Sequence, residues 1–173
     1  MKKVTFFAAI AMIAFTTNAV AQSTAETFAV TNATVITPIT ITKDVDMNFG
    51  NLVATGAGGP IVLSPAGARS GDAAILLGTQ NGTVTAASFT VTGETDFTYG
   101  ITLPPTFNVS DAVVSPDTGT MAVGTFVSTP DATGVLALGT QTLKVGATIT
   151  LLANQAAGDY TNATDMLVTV FYN

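Results

Sequence analysis

The chain is patterned in twos. Between Thr142 and Leu151, the residues Leu143, Val145, Ala147, Ile149 and Leu151 fall on one side of an extended backbone. Thr142, Lys144, Gly146, Thr148 and Thr150 fall on the other. Successive side chains of a strand point to opposite faces, whereas a helix would spread the same residues around its circumference. The run therefore predicts a long strand with one buried face. Phe97, Tyr99, Ile101 and Leu103 alternate in the same way with Thr98, Gly100 and Thr102, and Val45, Met47 and Phe49 alternate with Asp46 and Asn48. Further strands are expected over Thr27–Ile36, Pro38–Thr42, Ile61–Ser64, Ala74–Gly78, Ser88–Thr92, Met121–Val127 and Leu167–Tyr172, where branched and aromatic residues recur.

Chain-reversal chemistry separates these runs: Asn81-Gly82, Gly93-Glu94, Pro104-Pro105, Ser115-Pro116-Asp117, Pro130-Asp131 and Gly158-Asp159. Short strands at this spacing predict an all-β protein, an antiparallel β-sandwich, rather than a parallel α/β sheet. The Gly-rich stretch 54–59 reads as a loop. A transmembrane β-barrel also consists of alternating strands. Here the aromatics are too few for two interfacial girdles, and several runs fall short of the roughly 9–11 residues a spanning strand needs.

The N-terminus breaks the pattern. Met1-Lys2-Lys3 is basic, Val4 to Phe15 is apolar except for Thr5, and Ala19-Val20-Ala21 supplies a small-x-small site before Gln22. These are the three parts of a secretory signal peptide, in order. The apolar run is too short to cross the roughly 30 Å hydrocarbon core as a helix. The expectation is a cleaved signal peptide over 1–21 and a single domain over 22–173, exported to the periplasm, the outer cell surface or the medium. No integral membrane span is expected in the mature chain.

Composition then removes whole classes of function. Cleavage would take Lys2 and Lys3, leaving Lys43, Arg69 and Lys144 against 11 acidic residues, a formal charge of 3 − 11 = −8. Such a chain repels phosphate backbones, so nucleic acid is excluded as a partner. Cysteine is absent, which rules out disulfides, a lipid-bearing cysteine and thiolate metal sites. Histidine is absent too, and with it the commonest general base. Asp44-Val45-Asp46-Met47-Asn48 has the look of a calcium loop, but Gly50 comes one residue late and Thr55 stands where the bidentate Glu belongs. Glu94 and Asp96 could in principle form a glycosidase pair, yet they flank Thr95 in a hairpin turn. Gly56-Ala57-Gly58-Gly59 has Ile61 in place of the third glycine of a dinucleotide loop. No catalytic, cofactor-binding or metal-ligating residue is expected.

Several blocks resemble a bacterial family, domain of unknown function 4402. They include Met47-Asn48-Phe49-Gly50 after Ile39-Thr40-Ile41-Thr42, Leu63-Ser64-Pro65 with Gly67 and Arg69, and Ala87 to Glu94. Gly139 to Thr148, Ala153 to Tyr160 and Val168 to Asn173 continue the likeness, which covers nearly all of the expected mature chain. It implies an exported domain and supplies no activity. The ending, with Gly158, Tyr160, Val168, Thr169, Val170 and Tyr172, is also similar to the spore-coat-U type pilins of archaic chaperone–usher fibres. That second resemblance implies an Ig-like or pilin-like antiparallel β-sandwich and assembly by strand addition, in which an extended segment of one subunit completes the sheet of the next. Only Gln22 to Glu26 precede the first expected strand, a reach of about 18 Å. Either Thr27–Ile36 is itself the donated strand or the sandwich is self-contained.

The expected function is therefore an exported structural or adhesive cell-surface protein, such as a subunit of a fimbria-like or matrix assembly. Its partners would be other copies of itself or surface proteins. The alternative is a secreted module binding carbohydrate or another ligand through polar loop residues such as Asn51, Arg69, Asp72, Asn81 and Asp117.

Overall fold

The computed structural model describes residues 24–72, 74–76, 80–113 and 119–173. The signal peptide expected over 1–21 lies outside the described residues. Chain contacts divide the molecule into residues 1–34 and a β unit, Val35–Asn173. In the first, residues 24–34 carry neither strand nor helix, and Phe28 and Val30 stand 103% and 86% exposed.

The β unit contains β1 (Thr40–Val45), β2 (Gly59–Leu63), β3 (Arg69–Gly71), β4 (Ala87–Thr92) and β5 (Thr98–Thr102). It continues through β6 (Phe107–Ser110), β7 (Thr120–Thr129), β8 (Thr133–Val135), β9 (Thr140–Leu151) and β10 (Thr169–Tyr172). A single 3-10 turn at Ala137–Gly139 is the one helical element among the described residues. Every strand pairing is antiparallel, and the strands form two sheets, so the expected all-β sandwich is what the chain builds. No helix of the described residues is long and apolar enough to cross a membrane.

The larger sheet is organised on β9. Along one side β9 pairs with β7, from Thr150 opposite Ala122 to Lys144 opposite Thr129, and β6 flanks β7. The other side is shared: β4 takes Thr140 to Val145 and β2 takes Ala147 to Leu151. Gly146 sits at the changeover. A Cβ there would run into the Leu63 carbonyl, so only glycine lets the end of β2 lie against β9. Outside these, β1 flanks β4 and β3 flanks β2. The smaller sheet has the order β10-β5-β8.

Alternation holds best where a strand is paired on both sides. Leu143, Val145, Ala147, Ile149 and Leu151 of β9 are all buried, as are Ala87, Phe89 and Val91 of β4. β7 begins with Met121 and Val123 inward, then bulges between Gly124 and Val127, with Thr125 at φ +48°. The extra residue shifts the parity, so Phe126 and Ser128 turn inward and Val127 faces out.

Several expected strands are corrected. Thr27–Ile36 forms none: its alternation fits a strand, but none of its residues takes up strand structure. Val45–Phe49 is not a strand either. β1 bulges between Lys43 and Val45 and then ends, leaving Asn48 with one bridge to Thr85. The Asn48 side chain accepts the Gly50 N–H at 2.7 Å, and Gly50 adopts φ +68°, a turn rather than an extended path. Of Ala74–Gly78 the described part is a turn with a bridge from Leu76 to Leu52, and the remainder lies outside the described residues. Phe97, expected inside, is 41% exposed and stacks edge-on against Tyr172. β3, β6 and β8 were not foreseen.

Two core clusters lie on the inner face of the large sheet. In one, Ala87, Phe89, Val91, Leu143 and Val145 are covered by Tyr99, Leu136 and Val168, which belong to the smaller sheet and its approaches. The other contains Ile61, Ile75, Met121, Val123, Ala147, Ile149 and Leu151, and no residue of β5, β8 or β10 packs on it.

Candidate functional site

Where the smaller sheet stops, the second cluster is left beneath loops. The gap is an open groove of about 1080 Å³. Its floor is the inner face of three strands: Phe107 and Val109 of β6, Met121 and Val123 of β7, and Ile149 and Leu151 of β9. Phe107 stacks on Phe126 with centroids 5.6 Å apart. Lys43, Asp46 and Asp159 are the charged residues along the lining, and Lys43 already pairs with Asp46.

One rim is the segment 45–52, which brings Met47 and Phe49 to the groove. It is fastened from behind. The Asn51 backbone N–H donates to Asn81 O at 2.8 Å, and its side-chain amide donates to Gln80 O at 3.0 Å. Arg69, on β3, donates through Nη1 to the carbonyls of Phe49 and of Asn51, the latter at 2.9 Å. A guanidinium on two loop carbonyls replaces strand partners that the loop lacks.

The second rim is the segment 155–163, followed by Met166. Gln155 is 5% exposed and holds it from within. The Gln155 Oε1 accepts the Leu152 N–H at 3.1 Å, while Nε2 donates to Thr120 O at 3.3 Å and Tyr160 Oη at 2.9 Å. The Tyr160 hydroxyl donates to Ala156 O at 2.7 Å. Farther on, Thr161 and Ser110 exchange backbone bonds at 3.0 and 3.1 Å, and the Asn162 amide donates to Asn108 O at 2.8 Å. These contacts cover the outer edge of β6. The edge of β10 is different: among the described residues it pairs with β5 on one side and with no strand on the other.

Beside β10 lies a clamp. The Thr37 N–H donates to Glu94 Oε2 at 2.7 Å, and Thr37 O accepts the Tyr172 hydroxyl at 2.6 Å. The same Tyr172 oxygen accepts the Glu94 N–H at 2.6 Å, closing the ring. The bond from the Thr37 backbone holds the Glu94 carboxyl below the usual range. Gly93 is needed here, since a Cβ would collide with the Tyr172 hydroxyl.

A family described as a domain of unknown function, DUF4402, matches residues 39–172. The chain belongs to the DUF4402 family. No curated protein and no solved structure matches it. The DUF4402 match opens at Ile39, just past Thr37, and takes in Glu94 and Tyr172 of the clamp, both rims and the whole groove floor.

Within this DUF4402 domain Asn51, Arg69 and Asp72, expected as ligand contacts, use their side chains in hydrogen bonds to the protein's own backbone. Arg69, Asn51 and Asn81 do come together, but onto one another's loops. Asp72 accepts the Ala74 N–H at 2.8 Å in a local turn, and Asp117 lies outside the described residues. Asp44 accepts the Thr90 hydroxyl at 2.8 Å. Asp96 adopts φ +63° in the turn between β4 and β5. No group of three or more His, Cys, Asp or Glu able to hold a metal occurs among the described residues. Sequence reading did not find the groove. Phe107-Asn108-Val109-Ser110 carried the period of a strand, but the floor also needed the register of β6, β7 and β9.

Proposed function

We propose that the protein is an exported structural subunit of a cell-surface assembly, with copies joined by strand addition. Residues 27–36 of one copy would lie in the groove of the next. The observation that carries this reading is the mismatch between the two halves of the core. One half has the smaller sheet over it; the other has only loops and an open apolar groove. A strand seated there would cover the apolar floor that the smaller sheet leaves open.

The segment has the matching chemistry. Phe28, Val30 and Ile36 share one parity and are exposed. Burying a Phe or Val side chain stabilises by about 1.5–3 kcal/mol. Extended, Thr27–Ile36 would reach about 33 Å. The pilin-like ending of the sequence points the same way, and Tyr160 and Tyr172 of that ending fix the second rim and the clamp. The reading requires no catalytic residue.

The test is the assembly state of the purified mature chain by size exclusion with light scattering. Oligomers that grow with concentration and are lost with Phe28→Asp or Val30→Asp are expected. A chain that stays monomeric at every concentration would overturn the reading. The groove's volume also favours a second reading, a secreted module binding a small apolar ligand. That reading predicts that Phe28→Asp leaves ligand binding intact.

A further inference from the structure

The loop 80–85 is laced to the first rim of the groove. Asn48 and Thr85 exchange backbone bonds at 2.8 and 3.0 Å, and the Thr85 hydroxyl donates to Asp46 O at 2.8 Å. Asn81 O accepts the Asn51 N–H at 2.8 Å. The two backbones lie in close contact, since a Cβ on Gly50 would run into that same Asn81 oxygen. The rim 45–52 is thus held in part by Asn81. Asn81 is also the one asparagine of the chain followed by glycine. Both residues are exposed and lie outside any strand or helix, and Gly82 adopts φ +65°. The amide carbon of an asparagine is an electrophile beside the next backbone nitrogen. A following side chain hinders their approach, and glycine has none.

We propose that Asn81 is a site of self-modification, deamidating through a cyclic imide, and that the product loosens the rim 45–52. The Gly82 amide nitrogen gives up its proton to solvent base and attacks Asn81 Cγ, forming an N–Cγ bond. The Cγ–Nδ2 bond breaks, and that nitrogen takes up a proton and leaves as ammonia. Water then opens the imide. Cleavage of the new N–Cγ bond leaves aspartate at position 81. Cleavage of the bond to the former backbone carbonyl leaves isoaspartate, whose chain runs through Cγ and is longer by one methylene. Water is the only other reactant. Asn48 and Asn162 are placed differently: each side-chain oxygen is bound to backbone N–H groups, of Gly50 at 2.7 Å and of Thr164 and Asp165 at 3.0 and 2.9 Å. A residue with a Cβ follows each of them. At position 81 the added methylene would displace the carbonyl from the Asn51 N–H, and the close contact at Gly50 leaves no room to absorb it. This chemistry is independent of what fills the groove.

The full mature chain would be incubated at neutral and at mildly alkaline pH, beside Asn81→Gln, whose longer side chain closes the ring poorly. Mass spectrometry of the peptide containing position 81 and enzymatic detection of isoaspartate give the readout. The wild type should exchange an amide for an acid at position 81, faster at the higher pH, and the Asn81→Gln chain should not. In the aged wild type the amides of 48–52 should exchange with solvent about fivefold faster, the loss of one ordinary hydrogen bond, with β4 unchanged. If position 81 stays an amide in the folded chain while the unfolded chain converts, the site is wrong. If isoaspartate accumulates there and exchange at 48–52 does not change, the rim does not depend on Asn81, contrary to the proposal.

Discussion

The two halves of the large sheet's inner face use the same alphabet and meet different fates. Leu143, Val145 and Val91 are completely buried because Tyr99, Leu136 and Val168 lie over them. Phe107 and Val109 occupy the equivalent inward positions of β6 and remain half-buried beside the groove. The closed half is self-sufficient. It even satisfies its polar groups internally: Gln141 Oε1 accepts the Tyr99 hydroxyl and the Val135 N–H, both at 2.9 Å. What separates the halves is the number of strands above them, since three strands cannot cover a seven-stranded sheet.

The sharpest way to break this comparison is to truncate one residue in each half. Leu143→Ala should cost about 2–5 kcal/mol in urea unfolding. Phe107→Ala should cost only about 1–2 kcal/mol in the monomer, since part of its ring already faces water. Equal losses would mean that the two halves are packed alike. Next comes Gly134→Ala, which would push a methyl into the Tyr99 ring and the Gln141 amide. Overpacking of that kind costs about 1–3 kcal/mol, and the loss should appear as a lower urea midpoint.

A smaller effect concerns protonation in the closed half. Burial pushes the Tyr99 phenol up. The folded state therefore holds this proton at pH values where the unfolded chain has released it. Its contribution is complete below the unfolded value and is lost as pH rises through the folded one. Unfolding monitored across alkaline pH should show stability falling there, and Tyr99→Phe should remove that component. The smallest effect has the opposite sign. Glu94 is lowered by the Thr37 backbone, so its contribution is present above the ordinary carboxylate range and is lost as pH falls through the folded value. Glu94→Gln should abolish that acid-side drift in thermal melts.

Much of the centre of the large sheet was legible in the sequence. The five inward residues of β9 and the three of β4 are the ones whose alternation is longest and cleanest, because each strand is paired on both sides. The flanking strands were not. β3 and β8 have three residues each, too few for a period to declare itself. The bulge at Thr125 reverses parity within β7, and the neighbouring Gly124 alone does not announce it. Thr27–Ile36 teaches the most. Its alternation records a capacity to pair, which a single sequence shows, whereas the partner is a matter of tertiary arrangement. Arg69 and Asn51 carry the parallel lesson for sites: polar residues of loops can be fully engaged in holding backbone carbonyls.

The central claim is that the open half is completed by a strand from another copy. Amide hydrogen exchange of the mature chain, compared at low and high protein concentration, tests it most directly. The account predicts that residues 27–34 and the two rims, 45–52 and 155–163, gain protection together as concentration rises, while β4 and the N-terminal half of β9 stay unchanged. Free exchange of residues 27–34 at every concentration, with rim protection unaltered, would contradict it.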